Sequence, residues 1–192
     1  MIRATHAAAA LAVLVLVAGS AAHAQTGPQG GGLWIGAGLG YGVAWPSCQG
    51  CPTDHRGGLA TFLKLGASLR PNLRLGGELN LWMKHASGLT QEMGNLSAAL
   101  YWYPGGGAAF AKGGAGLALT HFSGGAGNPA GSTGFGVVAG AGYDWRLARH
   151  VSLTPVVNLY LGWTGEEKQG GAVIGRGLRH AILDAGLGIT VH

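Results

Sequence analysis

From residue 33 onward, large apolar residues fall on every second position. In the first such stretch Leu33, Ile35, Ala37, Leu39, Tyr41 and Val43 share one parity, while Trp34, Gly36, Gly38, Gly40 and Gly42 share the other. Successive side chains of a β-strand point to opposite faces, so this segment has one greasy face and one that is nearly bare. The pattern recurs in eight stretches, at 32–45, 57–70, 73–85, 92–103, 108–122, 133–146, 150–164 and 178–192. Alternating segments of about ten residues separated by turn residues mark a chain that crosses a membrane as a β-barrel.

Period alone does not say which face meets lipid, but charge does. The apolar parity carries no Lys, Arg, Asp or Glu through Leu59–Leu69, Leu73–Met83, Gly94–Trp102, Ala109–Leu119, Phe135–Trp145, Val151–Trp163 and Ala181–Val191. The other parity carries Lys64, Arg70, Arg74, Glu78, Lys84, Lys112, Asp144, Arg146 and Asp184; Arg179, near the outer edge of the last stretch, is an exception. A Lys or Arg facing the bilayer midplane costs about 2–4 kcal/mol, comparable with a large part of a small domain's whole stability. The clean face is therefore the lipid face. The same period would suit a soluble eight-stranded barrel with its greasy face inward around a ligand, but its solvent surface would then be largely Gly, which weakens strands. Inside a narrow barrel the same Gly relieves crowding.

Aromatic residues gather near both ends of the outward positions, with Trp45, Phe135 and Trp163 at one end and Trp102, Tyr143 and Trp145 at the other. Two belts of this kind match the two interfaces of a bilayer. The expected connectors alternate in length. Arg70-Pro71-Asn72, Pro104-Gly105-Gly106-Gly107 and Leu147-Ala148-Arg149 are tight, whereas 46–56, 86–91, 123–132 and 165–177 are longer and rich in Gly, Pro, Ser and charge. Short periplasmic turns opposing longer outer loops are the usual arrangement of bacterial outer-membrane barrels. Pro155 falls in mid-strand on the lipid face, where it removes a ladder donor, and is expected to mark a local bulge.

With 192 residues, 47% hydrophobic and 10% charged, the chain is of single-domain length and too apolar for a disordered tail. Its start reads as a secretory signal over 1–24: Arg3 supplies the charge, Ala7 to Ala18 the apolar core, and Ala22-His23-Ala24 a small-x-small site, so cleavage is expected between Ala24 and Gln25. That core is too short for a membrane helix. The barrel domain then occupies 25–192. The formal net charge of +5 is too small and scattered to argue for nucleic acid. Arg70, Arg74, Arg146, Arg149 and His150 gather around two short connectors at one rim, as a solvated edge or a contact for acidic lipid or periplasmic polymer.

Eight strands leave an interior only wide enough for side chains, so an open pore is not expected. Lys64, Glu78, Lys112, Asp144 and Asp184 are expected to pair with one another there, along with Asn80, Asn95, Tyr101, Thr154 and Asn158, because unpaired buried charges are costly. Cys48-Gln49-Gly50-Cys51, followed by Asp54 and His55, lies in the first outer loop. In an exported protein a Cys48–Cys51 disulfide is the first reading. A zinc site would need Asp54 and His55 as well, and one CxxC alone supports it weakly. A redox role lacks the βαβ context. No motif calls for a cofactor.

One possible catalytic motif remains. His121-Phe122-Ser123 places His and Ser on one outward parity, similar to the His-x-Ser of lipid A deacylase barrels. A nucleophilic Ser needs a base, and that base an orienting acid. The sixth strand offers no Glu, and its one acid, Asp144, is expected at the far end facing inward. His150-Val151-Ser152 has the same spacing on the inward parity.

The final stretch, Asp184-Ala185-Gly186-Leu187-Gly188-Ile189-Thr190-Val191-His192, resembles the closing assembly signal of outer-membrane proteins. With the signal, eight strands and alternating connectors, the chain resembles the small OmpA/OmpX-like outer-membrane barrel family over the whole mature length. It departs from that family's usual aromatic end by closing on His192. The resemblance implies an all-β, eight-stranded antiparallel up-and-down transmembrane barrel, preceded by a cleaved signal peptide and located in the outer membrane of a Gram-negative-type bacterium. Expected partners are outer-membrane lipids, lipopolysaccharide and the barrel assembly machinery. The expected role is non-enzymatic: structural, adhesive or protective, through the surface loops. A lipid-modifying enzyme and a small channel are the rivals.

Overall fold

The computed structural model describes residues 32–50, 54–124, 130–169 and 172–192. The expected signal segment, its Ala24–Gln25 junction and Cys51 lie outside the described residues. The chain runs through β1 (Leu33–Ser47), β2 (Arg56–Arg70), β3 (Leu73–Ala86), β4 (Leu89–Trp102), β5 (Ala109–Gly124), β6 (Ala130–Tyr143), β7 (Trp145–Ala148), β8 (Val151–Gln169) and β9 (Ala172–Val191). β6 and β7 are two parts of one stave, interrupted at Asp144, so the wall has eight staves. Each pairs antiparallel with its sequence neighbour, and β1 pairs with β9 to close the barrel. Among the described residues no helix is long and apolar enough to cross a membrane; the crossing is made by strands.

The two parities become two surfaces. Leu39, Leu65, Leu75, Leu100, Leu117, Leu159 and Leu187 are exposed around the outer wall, while Trp34, Phe62, Lys64, Glu78, Trp82 and Tyr101 are buried inside. Exposed leucines on every stave would be untenable in water over so wide a band and suit a hydrocarbon surround. The inner glycines make room for the large side chains. A Cβ on Gly38 would overlap the Phe62 ring, so β1 contributes bare backbone where β2 contributes an aromatic.

Three expectations about the wall are corrected. Two of the outer connectors are shorter than the Gly-rich stretches suggested: β3 and β4 join through Ser87-Gly88, both with positive φ, and the segment 165–177 mostly continues β8 and β9 as an extended hairpin. That hairpin is irregular, its register shifting between Trp163 and Gly165 and again towards Lys168. Pro155 causes no bulge in its own strand; β8 stays in register with β9 through Thr154↔Gly188, Pro155↔Leu187 and Val156↔Gly186. The irregularity sits on the other neighbour, where Asp144 leaves the ladder and its N–H bonds Ala108 O at 2.9 Å. The missing proline donor thus lies beside a stretch where the partner strand is already interrupted.

Candidate functional site

At mid-barrel, Glu78 from β3 accepts an ion-paired hydrogen bond from Lys112 of β5. Its second oxygen accepts the Tyr101 hydroxyl at 2.5 Å, and Tyr160 reaches across the lumen to Glu78 at 3.2 Å and to Asn80 Oδ1 at 2.6 Å. Trp82, Met93, Tyr101 and Tyr160, each no more than 2% exposed, fill the cross-section around this cluster. The barrel is therefore plugged by its own side chains.

All five charges expected in the lumen are buried, but they do not form one mutual network. Only Glu78 and Lys112 pair with each other. Asp184 accepts from Asn158 at 2.8 Å, and Asp144 is engaged at the inner mouth. Lys64 stands opposite Glu78 in the β2–β3 register, yet the Glu78 oxygens are taken by Lys112 and the two tyrosines. Its ammonium instead lies 5.8, 5.7 and 5.4 Å from the ring centres of Trp34, Tyr101 and Phe110, the range of cation–π attraction. These aromatic fillers sit on the parity that looks nearly bare in sequence, and the alternation itself was the signal for them.

The inner mouth is the rim that carries Pro71-Asn72, the 103–108 connector, Arg149-His150 and His192. Here Arg74 Nη1 donates to Tyr103 Oη at 2.9 Å, Asp144 Oδ2 at 3.3 Å and His192 Nδ1 at 3.2 Å, with its guanidinium 4.2 Å above the Tyr103 ring. Asp144 also accepts from Tyr103 and Thr154, each at 2.8 Å. Burial, then the Asp144 carboxylate, pushes the Tyr103 hydroxyl pKa up. Burial, then Arg74, brings His192 down to about 4, consistent with a neutral ring that accepts from Arg74 while its other nitrogen meets Ser152 Oγ at 3.0 Å. Arg70 and Arg146, also on the inward parity, are instead exposed at this rim; the β2–β3 ladder slips between Ser68 and Arg70.

A cavity of about 220 Å³ opens at the outer mouth, lined by Cys48, Asp54, Arg56, Gln91, Met93 and His180 among others. Arg56 bridges Asp54 at 3.1 Å and Gln91 at 2.9 Å, and its guanidinium, followed by the His55 N–H, holds the Asp54 carboxyl below its ordinary pKa. His180, absent from the sequence expectations, bonds Asn95 at 3.2 Å beneath this cavity. Its parity, shared with Asp184, was the available sign. Among the described residues no group of three or more His, Cys, Asp or Glu could hold a metal ion.

On the outer wall, the acid sought on the sixth stave is found on the fourth. Glu92 stands directly opposite His121, and Thr90 opposite Ser123, in the β4–β5 ladder. β5 is flanked by both β4 and β6, and the acid comes from the strand that precedes it in the chain. His121, Ser123 and Glu92 make no hydrogen bond with one another among the described residues.

All six expected belt aromatics are exposed on the outer face. Phe135 and Trp163 stack at 6.2 Å across β6 and β8, and Trp145, 63% exposed, is the most open of the inner group.

No family model matches the chain, and no curated protein matches it. Solved structures do. Neisserial surface protein A aligns over 85% of this chain and 99% of its own, at TM-score 0.54 and 19% identity. Ail, the attachment invasion locus protein of Yersinia pestis, solved with the heparin analogue sucrose octasulfate, aligns over 82% of this chain and 98% of its own, at TM-score 0.52 and 11% identity. The chain thus has the fold of the small eight-stranded outer-membrane barrels, the OmpA/OmpX-like class. With its apolar girdle and belts, it is an integral β-barrel of the outer membrane.

Proposed function

We propose that this is a non-enzymatic envelope barrel whose structural, adhesive or protective role is exercised at its outer rim, chiefly by the β8–β9 hairpin. The observation that carries this reading is the length of that hairpin. β8 continues six residues past the belt residue Trp163 to Gln169, about 20 Å of strand at the usual rise, so the hairpin would extend beyond the bilayer. By contrast, the β3–β4 connection on the same rim is only the two-residue turn Ser87-Gly88. Lipopolysaccharide would surround its base, and the assembly machinery would read the last strand during insertion. A Cys48–Cys51 disulfide would staple the first loop; two free thiols in the unreduced protein would remove it.

The test is a hairpin-tip deletion spanning 166–176, with heat-modifiable gel mobility as the folding control. Cells carrying the shortened barrel should lose surface adherence or serum protection while the barrel still folds. Unchanged phenotypes in both assays would discard the reading. Planar bilayers should show no conductance steps with the intact protein, given the plugged lumen, and stable steps would favour a channel.

A second reading is favoured by the Glu92–His121 pairing. With Ser123 on the same outward face, these groups could assemble into a nucleophile, base and orienting acid at the height of lipid headgroups. Release of acyl chains from lipid A by the wild type, lost in Ser123→Ala, would establish it. No release from the wild type would dispose of it.

A further inference from the structure

We propose that the inner mouth carries a binding site for the headgroup of an anionic glycerophospholipid from the inner leaflet. A cleft of about 540 Å³ opens there between Arg74, Tyr103, Tyr143, Trp145, Arg146 and Ser152. Its walls join the two surfaces of the barrel. Tyr143 and Trp145 belong to the lipid-facing belt, whereas Arg74 and Ser152 belong to the lumen mouth. The break in the stave at Asp144 makes this junction, because the chain leaves the ladder between the two belt aromatics. A phosphodiester in the cleft would therefore have its acyl chains running down the wall over Tyr143, with no need to leave the bilayer.

The charge of the cleft specifies the headgroup. Arg74 is already committed to Asp144, but Arg146 is exposed and makes no ion pair among the described residues, and Arg149 and His150 follow on the adjoining turn. Asp144 is buried and is the one acidic side chain at this rim among the described residues. Arg146 thus supplies a planar donor fork to a phosphate. The neighbouring cations add attraction for a headgroup with no compensating ammonium, such as phosphatidylglycerol, over a zwitterionic one. The outer rim differs: there Arg56 is paired with Asp54, and Arg176 lies 3.9 Å from Glu166.

The experiment is native mass spectrometry of the detergent-purified full chain, delipidated and then offered phosphatidylglycerol and phosphatidylcholine of identical acyl chains. The wild type should retain phosphatidylglycerol several-fold over phosphatidylcholine, and Arg146→Gln/Arg149→Gln should abolish the preference. Arg176→Gln/Arg179→Gln, an equal loss of charge at the opposite rim, should keep it. Equal retention of the two lipids by the wild type, or equal loss of preference in both double variants, would overturn the site. Excess glycerol phosphate should leave the lipid bound; complete displacement would mark a site for free phosphate and overturn the lipid assignment. Should the inner-rim variant not fold, raising the salt on the wild type gives the same decision. Screening should erase the preference, and a salt-independent preference would refute a site built on Arg146.

Discussion

Lys112 and Glu78 meet in the middle of the lumen from two staves that are not neighbours, β5 and β3, with β4 between them. The pair therefore ties the wall across its interior, and both partners are buried. Removing one partner strands the other charge, which costs about 3–5 kcal/mol for a buried pair. Lys112→Met should lower stability by that order in urea titrations of the lipid-reconstituted barrel. Lys112→Met/Glu78→Gln should recover most of the loss, and a double variant no better than the single would show that the pair is not the source of the effect.

Gly38 gives Phe62 its space. Any Cβ there overlaps the ring, and overpacking of this kind costs about 1–3 kcal/mol. Gly38→Ala should destabilise by that amount, and Phe62→Leu in the same chain should relieve part of it. Denaturant midpoints of the two variants make the comparison.

His192 makes the barrel acid-sensitive at its inner mouth. Its folded-state pKa, about 4, lies below the ordinary 6.5, so between those values the unfolded chain binds the extra proton. The stability that His192 contributes is therefore present in full above pH 6.5 and is lost as pH drops towards 4. His192→Gln should flatten this part of the profile when thermal midpoints are measured across the range. Arg74 should stay in place in that variant through Asp144 and Tyr103.

Leu39 is 62% exposed on β1, midway between the rims. On a water-facing surface Leu39→Arg would be nearly neutral or helpful. Facing hydrocarbon it should cost about 2–4 kcal/mol, read as a reduced folding equilibrium in phospholipid vesicles. The same change at Leu147, at the inner rim, should cost much less.

Faces were easier to read from sequence than neighbours. Alternation and the absence of charge from one parity identify inside and outside at Leu39, Lys64, Glu78 and Trp163, because burial acts on each strand separately. Who meets whom inside depends on strand stagger, which no single segment encodes: Tyr160 reaches Glu78 from 82 residues away, and Lys64 loses its register partner to Lys112. The outer part of the β8–β9 hairpin was hidden for a different reason. Beyond the bilayer neither face need be apolar, so the period vanishes, and positive-φ turns at Gly165 and Gly177 break what parity is left. The Glu92–His121 apposition was hidden because it is set by the β4–β5 register, which neither segment encodes alone.

Seven of the eight seams in the wall join staves that are consecutive in the chain; the eighth joins Ile35 to Val191. Each of the seven can zip outward from a nearby turn, at the small entropic cost of closing a short loop. The last requires the first and last staves to find each other after those between them are in place, the kind of long-range contact that slows folding. Until then β1 and β9 each present a row of unsatisfied amides in a medium that cannot hydrate them. The slow step and the period of greatest vulnerability to misassembly thus coincide at a single line on the barrel, where closure completes the fold.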